Sequence, residues 1–562
     1  MVTNPLFPWL DHYPDGIPHQ IDLAMESLGC QSLVDLFEES FSKYPQRTAL
    51  EFMGVSISYG QLDKLSQHFA TYLQTLGLES GARVAIMLPN VPQYLIAMLG
   101  TLRAAYVVVN VNPLYTSREL EHQLRDSGSE ALIILENFAT TYDAIAVHRL
   151  VKQVIVTSVG DAIGSKGKVV DFVARYVKKM IPPWKFPHIR FNAAIKIGQH
   201  HEFHRPQVGM DDVAFLQYTG GTTGVSKGAV LLHRNVLANI VQIELWLNPA
   251  LERRGDEQLA FLCALPMTHI FALTACAFLG IRKGGLLLLI ANPRDIDGFI
   301  QFLINHPGIH IFPGVNTLFH ALIHRPDFLK VKLPHLLVTI GGGMAVQKKT
   351  ADLWHQLTGV PIAQGYGLSE TSPVVCVNTP IITQFTGSIG MPLPATDVRI
   401  LDDEGAELPF GEAGEIAIKG PQVMAGYWNQ AQETQQCMTA DGYFKSGDIG
   451  IMTPEGHVHI VDRKKDMIVV AGFKVFPNEI EEMISQLAGV RECAVIGMPH
   501  RKLGEIVAVY IVKDHPELSQ AQVIEYCKLH MTSYKRPRKV MFIDEMPKSN
   551  VGKILRRHLR NR

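Results

Sequence analysis

Apolar residues follow two rhythms along this chain. Between about residues 30 and 200, the runs Arg83-Val-Ala-Ile-Met-Leu, Tyr106-Val-Val-Val-Asn-Val, Ala131-Leu-Ile-Ile-Leu and Gln153-Val-Ile-Val-Thr are short and nearly continuous. Runs of that kind read as strands buried on both faces. Helical patterns separate them. One follows Asn90-Val-Pro, and Ser117-Arg-Glu-Leu-Glu-His-Gln-Leu carries Glu119 and Glu121 in its first turns, where acids favour a helix start. Strand–helix alternation implies parallel sheets with helical crossovers, and it resumes between about 235 and 380.

From about 385 to 460 the rhythm changes to short strands punctuated by glycine, such as Asp397-Val-Arg-Ile-Leu, Gly414-Glu-Ile-Ala-Ile-Lys-Gly and Gly456-His-Val-His-Ile-Val. These predict a small antiparallel β-barrel. After the charged run Asp462-Arg-Lys-Lys-Asp an α+β pattern begins: a helix from Asn478, strands at Cys493–Ile496 and Ile506–Val512, and a helix from Ser519. A charged pentapeptide between two pattern regimes predicts a hinge. The fold class is α/β: a large N-terminal domain of two αβ-layered subdomains plus the small β-barrel, with a small α+β C-terminal domain on the hinge. A chain of 562 residues needs more than one core.

Composition narrows the function classes. With 52 basic and 53 acidic residues the net charge is −1, which gives no global support to a nucleic-acid partner. The seven cysteines are scattered, odd in number and without a C-x-x-C pair. That argues against a disulfide framework or zinc knuckle and fits a reducing, cytoplasmic setting. The N-terminus lacks the basic and apolar regions of a signal peptide, and no run is long and apolar enough to span a bilayer.

The strongest local signal is Tyr218-Thr219-Gly220-Gly221-Thr222-Thr223-Gly224-Val-Ser-Lys227-Gly228, directly after the apolar run Val213-Ala-Phe-Leu-Gln. Its glycines let backbone amides approach an anion, its hydroxyls add donors, and Lys227 adds a mobile charge. The spacing is not that of a Walker A loop, because Ser226 rather than glycine precedes the lysine and Gly228 follows it. A phosphate-binding loop is expected here, and a P-loop NTPase is not.

This loop resembles the phosphate loop of the adenylate-forming superfamily, and further motifs of that superfamily follow in order. Gln364-Gly365-Tyr366-Gly367-Leu-Ser369-Glu370-Thr is similar to its adenine and metal motif. The resemblance implies that Tyr366 lies against adenine and Glu370 ligates Mg²⁺, with Ser369 standing where threonine is common. Gly341-Gly342-Gly343, read alone a tight turn, would line the adenine and acyl pockets. Asp448, in Ser446-Gly-Asp, would accept the ribose hydroxyls, and Arg463 would reach the nucleotide. His269 falls in a Pro-x-x-His element near the acyl carboxylate, preceded by Thr268 where the superfamily commonly has an aromatic. Lys465 would be the pivot, dividing an AMP-binding domain (1–464) from a mobile C-terminal domain (465–562). Gly472 would line a pantetheine tunnel. Lys553, in Pro547-Lys-Ser-Asn-Val-Gly-Lys, would be the adenylating lysine.

The whole chain resembles bacterial long-chain fatty acyl-CoA synthetases, in segments such as Val109-Asn-Val-Asn-Pro-Leu-Tyr, Asn292-Pro-Arg-Asp and Lys548-Ser-Asn-Val-Gly-Lys-Ile-Leu-Arg-Arg. The implied activity is conversion of a long-chain fatty acid to its CoA thioester through an acyl-AMP, using ATP, Mg²⁺ and coenzyme A. A ligase for other acids or another acceptor, and a non-catalytic acyl-binding protein, are the competing readings. The resemblance also suggests a homodimer and peripheral contact with the cytoplasmic face of the inner membrane. One segment bears on that contact: Val169-Val-Asp-Phe-Val-Ala-Arg-Tyr-Val-Lys-Lys-Met-Ile-Pro-Pro-Trp-Lys mixes basic, aromatic and aliphatic residues. It fits either an anionic bilayer surface or a helix covering the core.

Overall fold

The computed structural model describes residues 7–219, 226–255, 257–549 and 552–560. The continuous apolar runs form the middle of an eight-stranded sheet. Arg83–Met87 lies between Val107–Asn110 and Ala131–Leu135, and both neighbours run parallel to it. Gln153–Thr157 extends the parallel ladder on one side and Val213–Thr219 on the other. Helices supply the crossovers. Pro92–Arg103 begins with proline in its first turn, where the missing N–H is not needed. Ser117–Ser127 is held at its start by a capping box of Thr116 with Glu119 and stops at the left-handed Gly128.

A second, nine-stranded sheet takes the region from about 260 to 392 together with the hairpin Thr48–Phe52/Val55–Ser58. Its parallel centre contains Ala260–Cys263, Ile311–Gly314, Val338–Gly341 and Ile362–Gly367. One continuous core joins the helices between the two sheets, with Phe37, Tyr59, Phe69, Tyr94, Phe215, Trp246, Phe278 and Phe312 fully buried.

The stretch expected to form a barrel is a four-stranded antiparallel sheet, ordered Asp397–Leu401, Gly414–Lys419, Phe444–Met452, Val458–Arg463. No ladder joins its outer strands among the described residues. Beyond Arg463 the pairing changes to a separate five-stranded sheet with its own apolar core around Ile468, Val475, Ile480, Val495 and Val509. Its long hairpin Val490–His500/Gly504–Lys513 and the helices Pro477–Ser485 and Gln520–His530 match the α+β pattern of the sequence. No described helix is long and apolar enough to cross a membrane.

Candidate active site

Parallel strands carry their backbone amides and following loops to one edge, and ligands collect there. In the nine-stranded sheet Gly314, Gly341 and Gln364 end at one level, as the register Gly314↔Gly341↔Gln364 shows. Gln364 braces that edge rather than reaching beyond it. Its Nε2 donates to Ser388 O at 3.1 Å and its Oε1 accepts from Val346 N–H at 3.1 Å. Gly365, Tyr366 and Gly367 complete the strand, pairing antiparallel with Val374–Val377. Ser369 and Glu370 follow in a single 3₁₀ turn.

The eight-stranded sheet faces this edge. Val213–Thr219 leaves the sheet at Thr219 and returns as Lys227–Leu232, with Thr219 opposite Lys227. Gly220, Gly221, Thr222, Thr223 and Gly224 lie outside the described residues. Tyr218, expected within the loop, is buried beneath it and donates to Asp126 Oδ2 at 2.5 Å. Lys227 emerges at the rim, pairs with Glu433, and sits 5.3 Å from the centre of the Tyr427 ring.

Polar side chains in the eight-stranded sheet and in the segments beside it fix the loop that carries His269. Asn90 donates to Cys263 O and Leu265 O, both at 2.8 Å, and accepts from Met267 N–H at 2.8 Å. Tyr94 donates to Met267 O at 2.8 Å, and Gln217 to Thr268 O at 2.9 Å. Buried amides meeting backbone in this way hold a loop to one conformation, because any other leaves them unsatisfied. The sequence reading missed all of these positions. Asn90 and Gln217, polar residues in or beside apolar strands, were the available signal.

His269 Nδ1 accepts from Phe271 N–H at 3.3 Å, so a neutral ring carries its proton on Nε2. Desolvation, and behind it the charge of Lys553, lower its pKa to about 4. The ring is therefore neutral near pH 7 and has a donor to offer. Lys553 reaches this place from the far end of the chain. Gly552 adopts φ +81, and a Cβ there would stand 2.4 Å from Thr317 Oγ1. Only glycine lets the turn press so closely on the large domain. Desolvation and the repulsion of Arg463 pull Lys553 down to about 7, against the attraction of Asp448. The lysine is thus near enough to His269 and to the Asp448–Arg463 pair to interact electrostatically with both.

Asp448 and Arg463 are neighbours on paired antiparallel strands, Nε to Oδ1 3.0 Å, and Tyr366 donates its hydroxyl to Asp448 Oδ2 at 2.8 Å. Glu370 is buried and accepts from the Tyr427 hydroxyl at 2.7 Å. Burial raises its pKa, and the tyrosine's hydrogen bond partly offsets that. Tyr427 was also missed, since its link to Glu370 and Lys227 exists only once Gly426–Tyr427 pairs with the returning strand Lys227–Leu232. A lone carboxylate with one oxygen already held suits Mg²⁺, which keeps several waters and takes few protein ligands.

An apolar pocket opens on the same group, lined by His269, Gly342 and Tyr366 together with Ile243, Trp246, Leu247, Ala275 and Val377. Trp246 is held by a hydrogen bond from its indole N–H to Asn378 O at 3.1 Å. Tyr13 packs edge-on against it, ring centres 5.1 Å apart, and donates to Pro392 O at 2.5 Å.

The other expected residues stand apart. Lys465 is exposed at the turn between the two small sheets. Gly472 is exposed in the two-residue turn joining Ile468–Val470 to Phe473–Val475, where φ values of +49 at Ala471 and +87 at Gly472 match a hairpin turn of the primed type. The structure therefore presents Lys553, and not the Gly472 loop, to the cleft. Arg556, three residues beyond Lys553, ties this arrangement to the helix Pro477–Ser485 and to the charged run before it: it binds Glu481 at 2.7 Å and Asn478 Oδ1 at 2.6 Å, with Asp466 at 3.4 Å and Asp462 at 3.6 Å.

Comparison with known proteins gives the family. The profile of the AMP-binding enzyme family matches residues 37–428, and that of the AMP-binding enzyme C-terminal domain matches residues 479–553. The chain is 47% identical to a long-chain-fatty-acid–CoA ligase of Salmonella typhimurium, over 98% of both chains. It is 35% identical to one of Bacillus subtilis, over 98% of this chain and 97% of the other. The crystal structure of ATP-bound MatB from Rhodopseudomonas palustris superposes with a TM-score of 0.81 at 29% identity, covering 94% of this chain and 98% of that one. The chain belongs to the AMP-binding enzyme family of adenylate-forming ligases.

Proposed function

We propose that this protein converts long-chain fatty acids to their CoA thioesters, with ATP as the activating substrate and an acyl-AMP as intermediate. A carboxylate is a poor electrophile, and a mixed anhydride with AMP gives it a good leaving group. The observation that supports the reading is that Lys553 lies close enough to feel the charges of Arg463 and Asp448 and to act on His269, a residue that lines the apolar pocket. One ammonium can then serve both the α-phosphate and the attacking carboxylate.

In this reading the apolar pocket takes the acyl chain and the neutral His269 donates from Nε2 to the carboxylate. Tyr366 supplies a face for adenine, Asp448 accepts from the ribose, and Arg463 adds positive charge beside it. Lys227 and the Thr219–Gly224 loop hold the β- and γ-phosphates. Glu370 would hold Mg²⁺, which screens the phosphate charge when bound. The adenylation step is then a matter of alignment and of charge stabilisation by Lys553. Thioester formation requires a second arrangement, in which rotation about Lys465 withdraws Lys553 and brings the Gly472 loop to the cleft for coenzyme A. The domain boundary follows the pivot: residues 1–464 bind nucleotide and acid, and residues 465–562 move. A homodimer and peripheral contact with the cytoplasmic face of the inner membrane complete the proposal, the second because the substrate partitions into lipid.

The test is pyrophosphate release from ATP and Mg²⁺ across a ladder of fatty acids, with and without coenzyme A. CoA-stimulated turnover that peaks at long chains is expected. Release indifferent to coenzyme A would mean a ligase serving another acceptor. No release would leave an acyl-binding protein.

A further inference from the structure

The helix Ser165–Phe172 runs on into a π-helical turn, Val173–Val177, and together they carry an uncovered apolar row. Val169, Phe172, Tyr176, Val177 and Met180 expose 64, 58, 65, 65 and 55% of their surface. Steps of three and four residues put Val169, Phe172 and Tyr176 on one face, the Phe172 and Tyr176 ring centres lie 5.1 Å apart, and Met180 follows just beyond the helix end. Val170, on the other face, packs against the core. Of the two roles open to this segment in the sequence, the outward row does not do the work of covering the core. A continuous apolar row facing solvent marks a surface that something else covers.

The charges of the segment are sorted in the same way. Its acid, Asp171, turns inward and accepts from Ser158 Oγ at 2.7 Å and Gly160 N–H at 2.9 Å. Arg175 is spent on the buried Glu136, at 2.7 Å. Lys166, Lys168, Lys178, Lys179 and Lys185 remain exposed. The segment's exposed charges are therefore all lysines, on a chain whose net charge is −1, with one neighbouring acid, Asp143, accepting from Lys185 N–H at 2.9 Å.

We propose that residues 165–185 are the docking surface for an anionic lipid bilayer, with the apolar row set among the acyl chains and the lysines among the headgroups. The charge argues for lipid over a second copy of the chain. A two-fold interface built on this patch would bring lysine clusters near one another, whereas anionic headgroups neutralise them. The inference rests on the peripheral contact proposed above and assigns it a place.

The experiment is co-sedimentation of the full chain with vesicles of phosphatidylglycerol and phosphatidylethanolamine, and with vesicles of phosphatidylcholine alone. Two variants accompany the parent: Phe172→Ser with Tyr176→Ser and Val177→Ser, and Lys178→Glu with Lys179→Glu. All five positions are exposed, so folding should survive, and an unchanged melting midpoint with unchanged pyrophosphate release on a soluble medium-chain acid verifies it. The parent should bind the anionic vesicles, more weakly as salt rises, and each variant should bind them at least tenfold less. Parent binding to neither vesicle would overturn the peripheral contact itself. Parent binding that both variants retain would overturn only this assignment. A shift from dimer to monomer in the apolar variant, with vesicle binding intact, would make the patch a self-association surface instead.

Discussion

Asp448 and Arg463 face each other across an antiparallel ladder, and the Asp448 carboxylate has both oxygens engaged, by Arg463 at 3.0 Å and Tyr366 at 2.8 Å. A ribose hydroxyl that enters must share these partners rather than find a bare acceptor. Asp448→Asn keeps the shape but removes the countercharge of Arg463 and turns one acceptor into a donor. Hydrogen bonds to charged groups contribute about 1.5–3 kcal/mol, so ATP affinity should fall about 10- to 100-fold. Calorimetric titration with ATP checks this, and unchanged affinity would reduce Asp448 to an anchor for Arg463.

Lys553→Ala should separate the two half-reactions. Loss of one positioned donor to developing charge costs about 10²–10³ in rate, so acid-dependent exchange of pyrophosphate into ATP should fall by that factor. Thioester formation from supplied acyl-AMP should stay within a few-fold of the parent. Equal losses in both would contradict the division of labour.

ATP binding should take up a proton. In the free protein burial and Arg463 hold Lys553 at about 7, so near pH 8 only about a tenth of it is charged. A polyanion beside it raises that pKa and the ammonium reforms. The uptake should approach one proton near pH 8 and vanish near pH 6, where the lysine is already charged. Titrations in buffers of different ionisation enthalpy read it directly, and Lys553→Met should abolish it.

Tyr427→Phe removes the hydroxyl that holds Glu370. That hydrogen bond lowers a carboxyl pKa already raised by burial, so its loss moves the pKa further up. Activity should therefore fail at a higher pH as the solution is acidified. The Mg²⁺ concentration for half-maximal adenylation should rise about 10-fold or more, as for other groups that orient metal ligands. A metal titration and a pH–rate profile test both, and unchanged curves would place the metal elsewhere.

Ala275 is buried in the pocket lining, and phenylalanine there would take up space that a long acyl chain needs. Ala275→Phe should lower kcat/KM for long acids by an order of magnitude or more while sparing shorter ones, at about 1–3 kcal/mol of stability. A uniform loss over the ladder would mean the acyl chain lies elsewhere.

What was legible in the sequence was contiguous. Gly365-Tyr366-Gly367, Lys227 and Lys553 sit in short motifs whose spacing is itself the signal, and the apolar runs predict the parallel strands nearly to the residue. Tyr427 belongs to no such motif, and Arg556 closes one in which only Lys553 was given a role. Their significance comes from partners at Glu370 and at Asp466 and Glu481, which only the fold brings near. The glycine-punctuated strands announce antiparallel pairing, but whether a sheet closes depends on register and twist, which alternation alone does not encode. Gln364 shows a further limit: its place in a motif suggested a ligand contact, while its side chain braces the strand end.

Tyr13 stands behind Trp246, and Trp246 walls the pocket proposed for the acyl chain. The residue backing that wall thus comes from a stretch of chain that contributes neither Lys553, Glu370 nor Asp448. Part of what would set tolerance for substrate size is thus written in a passage of the polypeptide that carries no bond-making group. Mutational drift around Tyr13 can retune that tolerance without disturbing bond-making, so one inherited reaction frame is free to diversify in diet.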